Sequence, residues 1–170
     1  MNSISLEELW PIMEEQILAG KTVRFGPKGI SMLPLIRQNI DTIVLKKAPE
    51  KLNKYDLPLY RRDDGHFVLH RVVGFDDKGY VMCGDNQAIY EHGITDKHIL
   101  AIAVGMYRGE EYVSFDNKSY IIYTHKQVRK KALKRMDRRF RAFVIMIMEK
   151  CHIYGCYKKI KKISKKVLTR

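Results

Sequence analysis

No apolar run in this chain is long enough to span a bilayer, and its cysteines are too few to frame a small disulfide or zinc fold. Runs such as Ala142–Met148 fall well short of the about 20 apolar residues that a membrane-crossing helix needs. The three cysteines, Cys83, Cys151 and Cys156, are odd in number and show no Cys-x-x-Cys spacing. That number and arrangement argue against a disulfide framework or a zinc site and fit a reducing compartment. The opening MNSISLEELWPIMEEQ has no positive charge and no long apolar core, so no secretory leader is expected. Low-complexity tracts and internal repeats are absent too. The expected location is the cytoplasm, or the periphery of a membrane face.

What is present is a globular composition, 45% hydrophobic and 30% charged over 170 residues, enough for one domain with an appendage. The formal charge of +13 is unevenly spread. Residues 1–123 carry 15 Lys+Arg against 17 Asp+Glu, whereas residues 124–170 carry 17 against 2. The basicity therefore belongs to the C-terminal part alone, and any anionic partner should be sought there.

The periodicity changes twice along the chain. Leu6, Leu9, Trp10, Met13, Ile17 and Leu18 recur every three or four residues and predict a helix, capped by Ser5 and ended by Gly20. Short β-branched and aromatic runs follow, predicting strands near 22–25, 41–46, 57–62, 67–75, 79–83, 99–107 and 111–115. Asp63-Asp64-Gly65 and Asp76-Asp77-Lys78-Gly79 read as hairpin turns. Helical spacing returns after about 124. These elements predict a mainly β protein: a strongly bent antiparallel sheet or partial barrel at 21–119, a short N-terminal helix at 1–20, and a basic helical tail at 120–170.

Three local patterns inside the β region could carry chemistry. In Gly29-Ile30-Ser31-Met32-Leu33-Pro34, the glycine permits a tight turn and Pro34 restricts its neighbour, so Ser31 can present both its hydroxyl and its N–H. Alone, this is more commonly a polar turn between strands. In Val68-Leu69-His70-Arg71-Val72-Val73, strand alternation places Val68, His70 and Val72 on one face. An imidazole held in such a strand can accept a proton near neutral pH, although a single strand histidine is more often a satisfied core residue. Cys83-Gly84-Asp85-Asn86 reads first as a tight turn, and second as a carboxylate able to orient an imidazole.

In order and spacing, these patterns resemble the signal peptidase I superfamily, which includes the self-cleaving phage-repressor-type proteases. Ser31-Met32-x-Pro34 resembles the nucleophile box, and His70-Arg71-Val72-Val73-Gly74 falls where bacterial members have Lys-Arg-Val-Ile-Gly. Gly84-Asp85-Asn86 matches the Gly-Asp-Asn box. Asp41-Thr42-Ile43-Val44 and Asp56-Leu57-Pro58-Leu59 resemble strand-entry segments. The likeness spans roughly 22–107 and implies a serine endopeptidase with Ser31 as nucleophile, His70 as base and Asp85 as the orienting acid. Histidine in place of lysine is as in the archaeal and endoplasmic-reticulum type, where a further acid lies a few residues on; here that residue is Glu91. Gly29, Ile30, Met32 and Pro34 are the implied substrate and oxyanion surroundings, with Gly29 where many members have a serine. The implied substrate is an extended peptide of leader type with small residues before the cut; no metal or cofactor is expected.

The tail, 124–170, offers a second partner. Its first part is dense in Lys and Arg, and Ile153, Tyr157, Ile160, Ile163 and Val167 then alternate with lysines. That pattern suits a helix in an anionic membrane interface, a solvated helix packed on the β domain, or, less readily, nucleic acid. Two further functions fit the sequence: an idle peptide-binding module, and self-cleavage at Ala19-Gly20.

Overall fold

The structure, a computed structural model, describes residues 5–150. It divides into two compact units with the boundary between Val128 and Arg129. The first unit is mainly β, with nine strands in two antiparallel sheets.

Helix α1 (Leu6–Leu18) begins with reciprocal capping: the Ser5 hydroxyl accepts from Glu8 N–H at 3.2 Å, and the Glu8 carboxylate accepts from Ser5 N–H at 3.0 Å. Both orphan donors are thereby satisfied. Its apolar face, Trp10, Met13 and Ile17, is buried as the periodicity predicts, and Gly20, at φ +79°, terminates it. The left-handed conformation there is open to glycine at little cost.

The spine of the larger sheet is β8 (Ile99–Arg108). Strand β2 (Asp41–Lys46) lines one edge of it, with β1 (Val23–Phe25) beyond. The other edge is shared by β3 (Pro58–Arg61), followed outward by β4 (Phe67–Leu69), and by β9 (Glu111–Ser114). The smaller sheet is β5 (Arg71–Asp76), β6 (Gly79–Cys83) and β7 (Glu91–Ile94). Both predicted hairpin turns are present, with β3 turning into β4 and β5 into β6.

Two expectations require correction. The single strand expected over 67–75 is two strands in different sheets, and His70 is the residue between them. Although the chain changes sheet at that point, Val68 and Val72 still pack in one core and Leu69 in the other. The single bent sheet or partial barrel is two sheets, and neither closes. Strand β7 was not anticipated: Glu-His-Gly-Ile holds one β-branched residue and has little local preference for a strand.

One core joins α1, the 32–36 segment and the inner face of the larger sheet, through residues such as Trp10, Ile17, Met32, Leu35, Ile36, Leu45, Leu59 and Met106. A second core, with Tyr60, Val72, Tyr80, Met82 and Ile102, joins the two sheets. Helix α2 (Lys118–Lys150) starts two residues before the expected tail. Its first turns belong to the compact β unit, where Tyr120 stacks on Phe115 at 4.0 Å and His125 on Tyr55 at 4.0 Å. Among the described residues, no helix is long and apolar enough to cross a membrane. The stripe expected over 153–167 lies outside the described residues.

The segment between β1 and β2 is closed by Asp41. Its buried carboxylate accepts from Arg37 N–H at 2.8 Å, from the Arg37 guanidinium at 3.3 Å and from Arg108 Nε at 3.0 Å, while Arg108 also donates to the Leu35 carbonyl at 3.0 Å. Burial pushes the Asp41 carboxyl up, but these donors outweigh it and hold it below the usual range. Both arginines reach solvent and can rehydrate, so Asp41→Ala should cost about 2 kcal/mol in a urea titration, the scale of hydrogen bonds to a charged group.

Candidate active site

Ser31 sits on a wound segment whose conformation is fixed from several sides. Gly29 takes φ +96° and donates its N–H to the Gln38 side-chain carbonyl at 2.7 Å. Leu33 N–H donates to Ile30 O at 3.2 Å and Ile36 N–H to Met32 O at 3.1 Å, so two turns follow one another around the serine. The Leu33–Pro34 peptide is cis. Met32, Leu35 and Ile36 bury their side chains in the first core, which leaves Ser31 half-buried at the rim. Ile30 and Pro34 are exposed beside it.

The Gly84–Asn86 turn packs directly on this segment. Asn86 N–H donates to Ser31 O at 2.7 Å and Asn86 Nδ2 to Ile30 O at 3.2 Å. A methyl group placed on Gly84 would come within 2.7 Å of Ser31 O and 3.1 Å of His70 Cδ2. A side chain there would have to displace the Ser31 backbone, so glycine fits the close approach.

His70 is 3% exposed. Its Nδ1 lies 2.8 Å from Glu91 Oε1 and 3.3 Å from the Tyr60 hydroxyl. An ionised carboxylate can only accept, so Nδ1 carries the hydrogen and the neutral ring keeps its lone pair on Nε2. The ring's Cδ2 is the His70 atom that packs nearest to Gly84. Glu91 is in turn gripped by Arg62, whose Nε and Nη2 donate to Oε2 at 2.8 Å and Oε1 at 2.6 Å. Partial burial pushes the Glu91 carboxyl up, but donation from His70 and Arg62 prevails and lowers it to about 2. Burial, reinforced by the Glu91 charge, raises the Tyr60 phenol well above its ordinary range and keeps it protonated.

Ser31 and His70 line one cavity of about 240 Å³, together with Pro27, Met32, Ile36, Arg62, Phe67, Leu69 and Gln87. The structure thus brings the expected serine and histidine to a common space. Among the described residues, no hydrogen bond joins the Ser31 hydroxyl to the His70 ring, and none is accepted from the Ser31 N–H. Catalytic contacts of this kind commonly tighten only when substrate fills the site.

The acid expected at Asp85 is placed otherwise. Both Asp85 oxygens accept from Arg71, at 2.9 Å from Nε and 2.8 Å from Nη2, and Tyr123 donates to Oδ2 at 3.2 Å. Arg71 also donates to the Tyr55 carbonyl and the Tyr120 hydroxyl, both at 3.0 Å. Both side chains of this ion pair are wholly buried. Burial opposes the Arg71 charge, yet Asp85 and Tyr120 raise its pKa further. Asp85 therefore anchors the turn that supports Ser31, and Glu91 occupies the place behind the imidazole. Arg62 and Tyr60 belong to the same cluster and were missed, since no local signal in Tyr-Arg-Arg points to Glu91, 29 positions after Arg62, or to His70, 10 after Tyr60.

The other described histidines serve elsewhere: His66 faces Asp64, His92 faces Asp76, His98 is held by Thr95 and Asp63, and His125 stacks on Tyr55. Among the described residues, no group of His, Cys, Asp and Glu is spaced to hold a metal ion. Cys83 is buried, while Cys151 and Cys156 lie outside the described residues. No family model, curated protein or solved structure matches the chain.

Removing one side of a buried ion pair leaves the other charge stranded, so Asp85→Ala should cost about 3–5 kcal/mol in urea unfolding. Gly84→Ala should cost about 1–3 kcal/mol, because the added methyl must displace Ser31 or the His70 ring. Glu91 has a folded pKa of about 2 against an ordinary 4.5. The unfolded chain therefore binds its proton first as pH falls, and the stability Glu91 contributes is complete above about 5 and lost on the way to 2. The melting temperature of wild type should exceed that of Glu91→Gln at pH 6, with the gap closing between pH 5 and 2. A gap independent of pH over that range would contradict the ionised pairing.

Proposed function

We propose that this chain is a serine endopeptidase in which Ser31 is the nucleophile, His70 the general base and Glu91 the acid that orients the ring. The supporting observation is the shared cavity of Ser31 and His70, combined with an imidazole whose Nδ1 is held by the Glu91 carboxylate. The resemblance to the signal peptidase I superfamily adds the order of the motifs and the expected peptidase-type fold.

In this reading His70 Nε2 removes the proton from the Ser31 hydroxyl as its oxygen attacks a peptide carbonyl. The developing oxyanion takes a hydrogen bond from the Ser31 N–H. The imidazolium then gives its proton to the leaving amine, and the released fragment carries the new amino terminus. Water, deprotonated by His70, hydrolyses the acyl-enzyme and regenerates the serine. Glu91, held at about 2, stays ionised throughout and stabilises the imidazolium. Arg62 fixes Glu91, and Asp85 keeps the Gly84 turn under Ser31. The substrate is a peptide in extended form, entering over Gly29, Ile30 and Met32, with small residues before the cut.

One observation favours a second reading, an idle peptide-binding module: no hydrogen bond joins Ser31 and His70. Self-cleavage at Ala19-Gly20 is disfavoured, because Ala19 and Gly20 N–H groups are tied to Glu15 and Ile17 carbonyls in the cap of α1 rather than extended.

Leader-type peptides with small residues at the candidate cut supply the test. Ser31→Ala and His70→Ala should reduce cleavage to background, a loss of at least about 10³-fold, and Glu91→Gln should lose about 10²–10⁴-fold. Equal cleavage by wild type and Ser31→Ala excludes the proposal. Saturable peptide binding without turnover by wild type selects the binding module.

A further inference from the structure

In the second unit, α2 presents a face that the β unit's chemistry does not use. Leu133, Met136, Phe140, Phe143 and Ile147 recur at intervals of three and four, and all are exposed, Phe140 by 66% and Met136 by 64%. At helical spacing these five form one stripe. Exposed cations, including Lys130, Lys134 and Arg139, flank the stripe. Over residues 129–150 the sequence holds nine Lys+Arg against Asp137 and Glu149. Charge and apolarity are also ordered along the helix, with the cations concentrated before Ala142 and the uncharged run after it.

From Phe143 to Ile147 every residue is a large apolar side chain and every one is exposed. A single partner helix covers one stripe and would leave Ile145 and Met146 in water. A second copy of this chain would also bring two strongly cationic segments together. Nucleic acid would neutralise the cations but offer nothing to the stripe. An anionic bilayer surface satisfies both, since headgroups take the lysines and arginines while acyl chains surround the apolar residues.

We infer that α2 residues 129–150 form a docking face for anionic membrane surfaces, with Leu133, Met136, Phe140, Phe143 and Ile147 inserted at the headgroup boundary. The helix binds without crossing, its basic part on the headgroups and its C-terminal apolar part deeper. This inference is independent of the peptidase reading, because it uses no residue of the Ser31 cavity.

The test is co-sedimentation of the full chain with phosphatidylcholine vesicles with and without phosphatidylserine, in low and high salt. Binding is expected to vesicles containing phosphatidylserine, and to be at least tenfold weaker to phosphatidylcholine alone. Each cation near an anionic leaflet is worth about fivefold in affinity, so Lys130→Glu with Lys134→Glu should lose roughly 25-fold or more. Phe140→Ser with Phe143→Ser should lose binding to a similar degree, with the circular dichroism melt of the β unit unchanged. Three results overturn the inference: wild type left in the supernatant with anionic vesicles, binding untouched by the phenylalanine changes, and a concentration-dependent dimer in sedimentation that those changes abolish.

Discussion

The change of sheet at His70 is the constraint on which the rest of the site depends. Neighbouring residues, His70 and Arg71, leave the chain where it passes from the larger sheet to the smaller, and each finds a different carboxylate. The guanidinium meets Asp85 in full burial, and the imidazole meets Glu91 at 2.8 Å. Moving the break by one residue would exchange the two environments, placing a fixed charge at the cavity and an imidazole in the ion pair. The strength of the buried Arg71–Asp85 pairing makes that exchange costly. Register and chemistry are therefore set together.

From that junction the support spreads in two directions. Asp85 holds the Gly84–Asn86 turn, which holds Ser31 through the Asn86 contacts to Ser31 O and Ile30 O. Glu91 holds the ring and is itself held by Arg62. The serine and the histidine thus owe their positions to separate ion pairs, one buried and one partly open to solvent. A site with this layout can have its ring orientation perturbed without the Ser31 segment unfolding, and the reverse.

Much of this was legible in the sequence, for reasons that differ by residue. Strand β2 was expected over 41–46 and is found at Asp41–Lys46, because alternation and β-branching act locally. Ser31 and His70 stood out only together, through the order and spacing of motifs that resemble the signal peptidase I superfamily; alone, each reads as an ordinary turn serine or core histidine. Which carboxylate serves the ring did not stand out. Asp85 matched a motif, but a motif records that an acid is needed there and not which cation it meets. The pairing depends on β7, a strand with weak local preference, being carried beside β6 so that Glu91 falls opposite Met82. Arg62 and Tyr60 were invisible for the same reason: their role exists only once β3 and β7 approach the same ring.

The central claim is that Ser31 is a nucleophile activated by His70, and covalent capture tests it most directly. After incubation of the full chain with a fluorophosphonate, intact mass and peptide mapping should show one adduct, on Ser31, in wild type. The adduct should be absent from His70→Ala, and its formation slowed in Glu91→Gln. Labelling of Ser31 at the same rate in His70→Ala, or an adduct at another residue with Ser31 untouched, would contradict the account.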